Sequence, residues 1–550
     1  MSESASNTSE GSIGRDTRTV AGLTLVSRVL GLVRDVVTVR VFGDTFVGSA
    51  FAAAFAVPNM FRRLFGEGAL SAAFLPEYTR LADGEPEKAD AFASLTIGLL
   101  ALVTGVLTLV IELGLLGVVL ASGDDPERVY SLKLVMVMLP FMPVICVAAI
   151  LGGMLQSHGR FGPWAAAPIL LNLCIIVAAL PYFFVEGASA AAWAYPVGIA
   201  AVVSAVLQVV WSLWALRGTV RWTTGVSEAR REAKLMLLRM IPVLIGLGTL
   251  QLNAFMDTLI AMYPNWVGDT VFGYDYPLDE SSNAILFYAQ RLYQFPLGVF
   301  GIAVATAAFP ALSRVADDSV RFGEMLTRGL RLSLFIGVPA SVGLLLVGEA
   351  LIRVLYSGGG DGFSDAGVSR ASAVLAGYAL AVWAYSLNQL LTRAFYARGD
   401  TRTPMTIALG MVGVNICLNL VLIWWLREAG LAWSTAICAV GQTVLLLWMA
   451  DRKMDDGLHL GAMARPVMLI VAGSGAMGLC VWGVGRVVDS GASWGRGLLS
   501  VVVMTLTGAV VYGLWSIWMK MDELGWLIAK STSVDPGPQG RMNEDPQDEA

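Results

Sequence analysis

Ser27 to Tyr78 reads SRVLGLVRDVVTVRVFGDTFVGSAFAAAFAVPNMFRRLFGEGALSAAFLPEY, two apolar runs that nevertheless carry Arg28, Arg34, Asp35, Arg62, Arg63 and Glu67. A charge at the centre of a bilayer costs roughly 2.5 to 3.5 kcal/mol on insertion scales, so such residues normally face a bundle interior or an aqueous cavity. On a helix Ser27, Gly31, Arg34 and Thr38 share one stripe, with Arg28 and Asp35 on the stripe beside it. Val29, Leu30, Val33, Val36 and Val37 fill the remaining circumference, which suits lipid or apolar neighbours. In the second run Pro58 should bend the helix, with Asn59, Arg62, Arg63 and Gly66 at helical spacing beyond it. Several crowded cations call for an anion. Arg28, Arg62 and Arg63 also fit end-of-helix anchors, whereas Arg34 lies well inside its run.

Outward from this stretch the whole chain is greasy. Of its 550 residues 56% are hydrophobic and only 14% charged, where soluble domains carry about 25%, so the fold class expected is an all-α polytopic membrane protein. A net charge of −5 argues for no nucleic-acid partner. The first eighteen residues are polar, so no cleavable signal peptide is expected. A span needs about 20 mostly apolar residues, and about fourteen candidates emerge, at 19-42, 45-66, 92-121, 131-155, 164-184, 190-216, 235-262, 284-309, 327-355, 369-396, 403-426, 430-450, 464-486 and 496-519.

Arginine and lysine set orientation. Arg80, Lys88, Arg160, Arg217, Arg221, Arg230, Arg231, Lys234, Arg314, Arg321, Arg328, Arg398, Arg402, Arg452 and Lys453 fall in connections on one face, expected to be cytoplasmic along with both termini. The opposite face carries Asp124, Asp125, Glu127, Glu186, Asp269, Asp275, Asp279, Glu280, Asp361 and Asp365. Its longest connection, Tyr263 to Asn283, is acidic and aromatic, placed to fold over the outer mouth.

The second and eighth candidate spans, FAAAFAVPNMFRRLFGEGALSAAFLPEYTR and FYAQRLYQFPLGVFGIAVATAAFPALSR, both run from an aromatic start through a proline to an AF(L)P motif and an arginine. Six spans separate them, which predicts two parallel six-helix halves about an axis normal to the bilayer, with the substrate path between. The expected organisation is a disordered tail at 1-17, halves at 18-217 and 218-451, two further transmembrane helices within 452-520, and a largely disordered tail at 521-550.

In the second half Arg291, with Gln290 and Gln294 close by, is the counterpart of the first-half arginines. If the halves face one another, Arg28, Arg34, Arg62 and Arg291 converge on one anion, and guanidinium forks suit phosphate oxygens. Ser27, Asp35, Asn59, Arg63, Glu67 and Gln294 are the supporting polar set. Asp257, Asn415, Asn419 and Thr435 offer oxygen ligands that fit a hard cation such as sodium, although asparagines in membrane helices also serve as interhelical glue. Cys146, Cys174, Cys417, Cys438 and Cys480 have no metal or redox spacing and read as small buried hydrophobes. His158 reads as a solvated loop residue, and Gly473, Gly475 and Gly478 as helix-packing glycines. With no phosphate loop and no hydrolase signature, an enzyme is not expected, and the energy for transport must come from a gradient or the membrane potential.

The words SRVLGLVRD, PNMFRRLFGEGALSAAFLP, RLYQFPLGVFGIA with AFPALSR, and FYARGDTRTP resemble the MurJ/MviN family of lipid II flippases, in the multidrug/oligosaccharidyl-lipid/polysaccharide transporter superfamily. The resemblance implies a multi-pass protein of the bacterial inner membrane that moves the undecaprenyl-diphosphate-linked cell-wall precursor between leaflets. It implies that Arg28, Arg34, Arg62 and Arg291 line a central cationic cavity and that the last two spans form a groove for the lipid tail. It also implies sodium, without other cofactors, at positions like Asp257, Asn415, Asn419, the Leu431 carbonyl and Thr435. The partners implied are lipid II, membrane lipids and proteins of cell-wall synthesis. Ser49 stands where many members have an aspartate, and Asn419 where some are acidic. Two other readings remain open here: an exporter of another polyprenyl-diphosphate-linked oligosaccharide or of drugs, and a non-transporting cell-wall scaffold.

Overall fold

The computed structural model describes residues 3–64, 70–123, 125–358, 361–453, 458, 460–488 and 494–528. Glu67 and the chain beyond Ile528 lie outside the described residues.

The first half comprises α1 (Glu3–Phe42), α2 (Phe46–Phe61), α3 (Leu70–Gly84), α4 (Pro86–Ala121), α5 (Pro126–Met138), α6 (Phe141–Ser157), α7 (Phe161–Ala179) and α8 (Ala190–Ala215). The second contains α9 (Arg230–Ala261), α10 (Tyr263–Trp266), β1 (Thr270–Val271), β2 (Tyr274–Asp275), α11 (Ser282–Pro296) and α12 (Ile302–Arg314). It continues with α13 (Ser319–Tyr356), α14 (Asp365–Ala379), α15 (Val382–Ala397), α16 (Arg402–Leu426) and α17 (Glu428–Lys453). An appendix of α18 (Leu460–Val487), α19 (Trp494–Trp518) and α20 (Asp522–Ile528) completes the described chain. Side-chain caps start several helices: Thr45, Asp125, Asp318 and Ser364 each accept from a backbone amide three residues on.

Among the described residues, ten helices or helix pairs are long and apolar enough to cross a membrane. The four remaining expected spans, 19-42, 45-66, 235-262 and 284-309, fall on α1, α2, α9 and α11 with α12, and these carry Arg28, Arg34, Asp35, Arg62, Arg63, Asp257 and Arg291. Of these, α2 and α11 have only 16 and 15 residues before the chain turns π-helical. Both proline-bearing members of the repeat contain a π-helical turn close after the proline, at 62–64 behind Pro58 and at Leu297–Gly301 behind Pro296. Lost amide donors and π turns are the usual origins of helix bends.

The pairing of helices repeats. In the first half α1 packs on α7, α2 on α5, α4 on α6, α6 on α8 and α7 on α8; in the second α9 packs on α16, α11 on α14, α13 on α15, α15 on α17 and α16 on α17. Helices six spans apart take equivalent partners, which is the parallel two-half arrangement expected. α18 and α19 pack on each other and on α13. Of the glycine trio, Gly473 backs onto Trp515 and Gly478 onto Val342, where a Cβ would crowd the neighbour, while Gly475 faces open space.

Several sequence expectations are corrected. α1 is drawn as helix from Glu3. Residues 522–528 of the C-terminal tail form α20, held to α13 by Arg331, which bonds Glu523 at 2.7 Å and Asp522 at 3.0 Å. Cys417 and Cys480 are exposed, because their faces of α16 and α18 point outward from the bundle. His158 is half-buried and pairs with the Tyr78 hydroxyl at 3.0 Å.

The long acid-rich connection folds into α10 and a two-residue hairpin whose turn places Phe272 and Gly273 at positive φ. It bridges the halves: the Trp266 indole donates to Ser131 Oγ at 2.9 Å, and Arg128 donates to the Val267 carbonyl at 2.6 Å. Behind it Arg370 bonds Glu428 at 2.6 Å and Asp279 at 2.9 Å, and Arg427 bonds Asp279 at 2.5 Å. Burial works to raise the Asp279 carboxyl, but hydrogen bonds from Arg370 and Ser281 and the charges of Arg370 and Arg427 outweigh it and hold it well below the usual carboxylate range.

Candidate functional site

The site lies where α1, α2 and α7 of the first half meet α9 and α11 of the second. On α1, Asp35 is only 6% exposed, a position tolerable for a carboxylate only beside cations. Arg34 supplies one from its own helix, at 2.6 Å from Oδ1, and Arg291 another from the opposite half, its Nε 3.9 Å from Oδ2. Arg34 also donates to Asn172 Oδ1 at 3.0 Å and sits 5.0 Å over Phe55; Arg291 sits 4.4 Å over Phe287 and donates to Gln294 at 3.4 Å. The buried Arg291 Nε, turned toward Asp35, has no hydrogen-bond acceptor among the described residues.

Beside this cluster a cavity of about 90 Å³ opens between α2, α9 and α11, its polar lining including Asn59, Arg63, Gln251, Gln290, Arg291 and Gln294. Arg62 instead donates to Asn59 at 2.8 Å and is not part of that lining. Arg28 lies against Gly298 in the second π turn, where a side chain would collide with its guanidinium. The Ser27 carbonyl accepts from Asn172 at 3.1 Å. Val29 and Val33 are exposed on the outer circumference of α1, as the stripe analysis requires. Asn172, Gln251, Gln290 and Phe55 are participants that sequence reasoning missed or left unassigned; amides inside apolar runs were the available signal for the first two.

Toward the acid-rich face the halves are closed. Ser49 is fully buried; its Oγ accepts from the Ala284 amide at 3.0 Å, and its carbonyl accepts from Asn283 Nδ2 at 2.9 Å. Ala284 is the third residue of α11, so its amide has no intrahelical acceptor and Ser49 caps it from the opposite half. The Tyr288 hydroxyl donates to Thr38 at 3.3 Å, Arg40 donates to the Val354 carbonyl at 3.1 Å, and Asp44 accepts from the Ser364 amide at 3.0 Å. α2 and α11 are therefore joined at their outer ends and enclose the cavity further in.

A second polar site occupies the equivalent helix pair of the second half. Asn419 Nδ2 donates to Asp257 at 2.6 Å and to Asn415 Oδ1 at 3.0 Å, while Asn415 Nδ2 donates to Ser434 and Thr435, both at 3.3 Å. Ser434 donates to Asn419 Oδ1, and Ser434 and Thr435 both donate to the Leu431 carbonyl at 2.9 Å. All five expected residues come together, with Ser434 as an unforeseen sixth. The donor set is entirely oxygen with one carboxylate, which fits a monovalent hard cation; no cluster of three or more His, Cys, Asp or Glu residues suited to a metal occurs among the described residues. The two sites are related by the repeat. α1 with α7 holds an arginine on an asparagine, and α9 with α16 holds an aspartate on an asparagine: one cationic, one anionic.

A family model described as lipid II flippase MurJ matches residues 38–527. The chain belongs to that family. It is 32% identical over 465 residues to a probable lipid II flippase MurJ of Rhizobium meliloti, covering 82% of this chain and 83% of that protein. With the probable lipid II flippase MurJ of Vibrio cholerae the identity is 30% over 525 residues, covering 90% and 93%. Among solved structures, a lipid II flippase MurJ in an inward closed conformation superposes with a TM-score of 0.73 at 22% identity, covering 92% of this chain and 99% of that one. An inward-facing multidrug resistance MATE transporter of the MOP superfamily gives 0.62 at 13% identity, covering 78% and 96%. Both show the shared fold.

Proposed function

We propose that this chain moves lipid II from the inner to the outer leaflet of the bacterial cytoplasmic membrane by alternating access, with both termini in the cytoplasm, as a transporter required for cell-wall synthesis. The observation that carries the reading is the meeting of Arg34 from one half and Arg291 from the other at one buried carboxylate. Asp35 keeps the two guanidinium groups together while no anion is bound, and a diphosphate entering the cavity competes with Asp35 for their donors. Asn59, Gln251, Gln290 and Gln294 then face the sugar and peptide, and the polyprenyl tail stays in the bilayer.

Closure at Ser49 and Thr38 supports a resting state open toward the basic face, where the precursor is made. A charge moved through 100 mV is worth about 2.3 kcal/mol, so a headgroup of about two negative charges gains roughly 4 to 5 kcal/mol leaving an inside-negative cell. Asp257, Asn415, Asn419, Leu431 and Thr435, with Ser434, would hold sodium; when bound, the ion supplies a counter-charge to Asp257. Proteins of cell-wall synthesis are the expected partners at the membrane.

The test is replacement of the resident flippase in a conditional strain, with outer-leaflet lipid II read by a membrane-impermeant probe. Restored exposure, lost in a well-expressed Arg34→Ala variant, is the expected result. Full exposure in Arg34→Ala would remove the cationic site from the mechanism, and no exposure from wild type would point to a different lipid-linked substrate.

A further inference from the structure

On the basic face of the second half, away from the central site, α13, α15 and α17 enclose a cavity of about 180 Å³, well above the ~10–15 Å³ that admits one water. Its lining combines apolar Phe322, Leu326 and Phe395 with charged Arg398, Asp400 and Lys453, Arg398 lying over Phe322 and Lys453 over Phe395.

The charges in this lining do not cancel. Lys453 Nζ donates to Asp400 at 2.5 Å and to Thr403 Oγ1 at 2.7 Å. Asp400 also accepts from the Thr403 amide at 3.0 Å and hydroxyl at 2.7 Å, which fixes it at the start of α16. Burial works against the Asp400 charge, yet the bonds from Lys453 and Thr403 hold the carboxyl down to about 2. Arg398, by contrast, donates one bond, from Nη2 to the neutral Ser319 Oγ at 3.0 Å, and lies 5.1 Å over the Phe322 ring. It forms no ion pair among the described residues. Among the described residues lining the cavity, two cations less one carboxylate leave one surplus positive charge, carried by a guanidinium with most of its fork unused.

We propose that this cavity binds the phosphodiester headgroup of an anionic phospholipid from the leaflet on the basic face. The phosphate lies on Arg398, and the glycerol and first acyl carbons lie against Phe322, Leu326 and Phe395. One surplus charge matches the single charge of a phosphodiester, and a planar fork held by an aromatic ring is suited to its two free oxygens. The apolar lining selects lipid over free phosphate, which would bring more charge than the site balances and gain nothing from the rings. The cavity stands at the basic-face ends of α13, α15 and α17, and basic pockets between helices on the cytoplasmic side take anionic lipids. It shares no residue with the central cavity.

Native mass spectrometry of the purified full chain, offered phosphatidylglycerol, phosphatidylethanolamine or inorganic phosphate, tests this. Wild type should retain phosphatidylglycerol over phosphatidylethanolamine, and Arg398→Gln should lower that retention about tenfold, the scale of one lost charge-assisted bond. Ala394→Phe, which fills the cavity with every charge intact, should lower it as much, while Arg34→Ala at the central site should leave it unchanged. Equal retention of the two lipids, undiminished phosphatidylglycerol in Arg398→Gln, or displacement of the lipid by equimolar inorganic phosphate would each overturn the proposal.

Discussion

Replacing Ser49 by alanine isolates the closure between the halves at the acid-rich face. The serine hydroxyl is fully buried and caps the Ala284 amide across the α2–α11 contact at 3.0 Å. The first intrahelical bond of α11 begins only at Ile285, whose amide donates to the Ser281 carbonyl, so no backbone acceptor can replace the lost one. An orphaned buried amide costs about 1 to 3 kcal/mol. Because the bond exists only while α2 and α11 are together, that cost falls on the closed state, and opening should become about 5- to 150-fold more frequent. The second bond of the pair, from Asn283 Nδ2 to the Ser49 carbonyl, survives the substitution and keeps the effect from being larger. Hydrogen–deuterium exchange of the peptide covering the first turns of α11 reads this directly, since exchange there tracks local opening. Faster exchange in Ser49→Ala, with peptides from α13 and α18 unchanged, is expected. Unchanged exchange at α11 would refute the reasoning, for the cap would then not discriminate between the two states.

Three further outcomes follow from the same geometry. Glu428, 3% exposed on its side chain and bonded to Arg370, should lose about 2 to 4 kcal/mol on replacement by alanine, below the full effect of breaking a buried pair because Asp279 remains on Arg370; a melting temperature equal to wild type would contradict it. The depressed Asp279 carboxyl stabilises the folded state above its unfolded value near 4, and that contribution fades as pH falls below it. The melting-temperature gap between wild type and Asp279→Asn should therefore narrow from pH 7 to pH 3, and a constant or widening gap would be inconsistent. If Asp257 and its neighbours hold sodium, raising sodium to a hundred times its dissociation constant should add about 2.7 kcal/mol of stability; potassium should not, and Asp257→Asn should abolish the difference. A sodium response that persists in Asp257→Asn would place the ion elsewhere.

Much of this was legible in the residues. Composition and run length decide for a polytopic helical protein, because burying about 20 apolar residues per segment in lipid needs no knowledge of partners. Charges that lipid would reject, Arg34, Asp35, Asp257 and Arg291, announced an interior polar path by the same logic, and the offset repeat of the second and eighth spans announced the two halves. What periodicity gives is the face a residue occupies on its own helix, not the residue that meets it. Sequence placed Arg62 on the anion and Arg63 only in support, whereas Arg63 lines the cavity and Arg62 turns to Asn59. It left Asn172 and Ser434 unnoticed, since a single amide or hydroxyl in an apolar run looks like glue until its partner is known. Nor did it show that Ser49 caps a helix of the other half. The contacts that assemble the central site and its closure join segments more than a hundred residues apart: Arg34 with Asn172, Asp35 with Arg291, Ser49 with Ala284. Local chemistry fixed which side chains had to leave the lipid, and only the packing of one half against the other decided where each of them went.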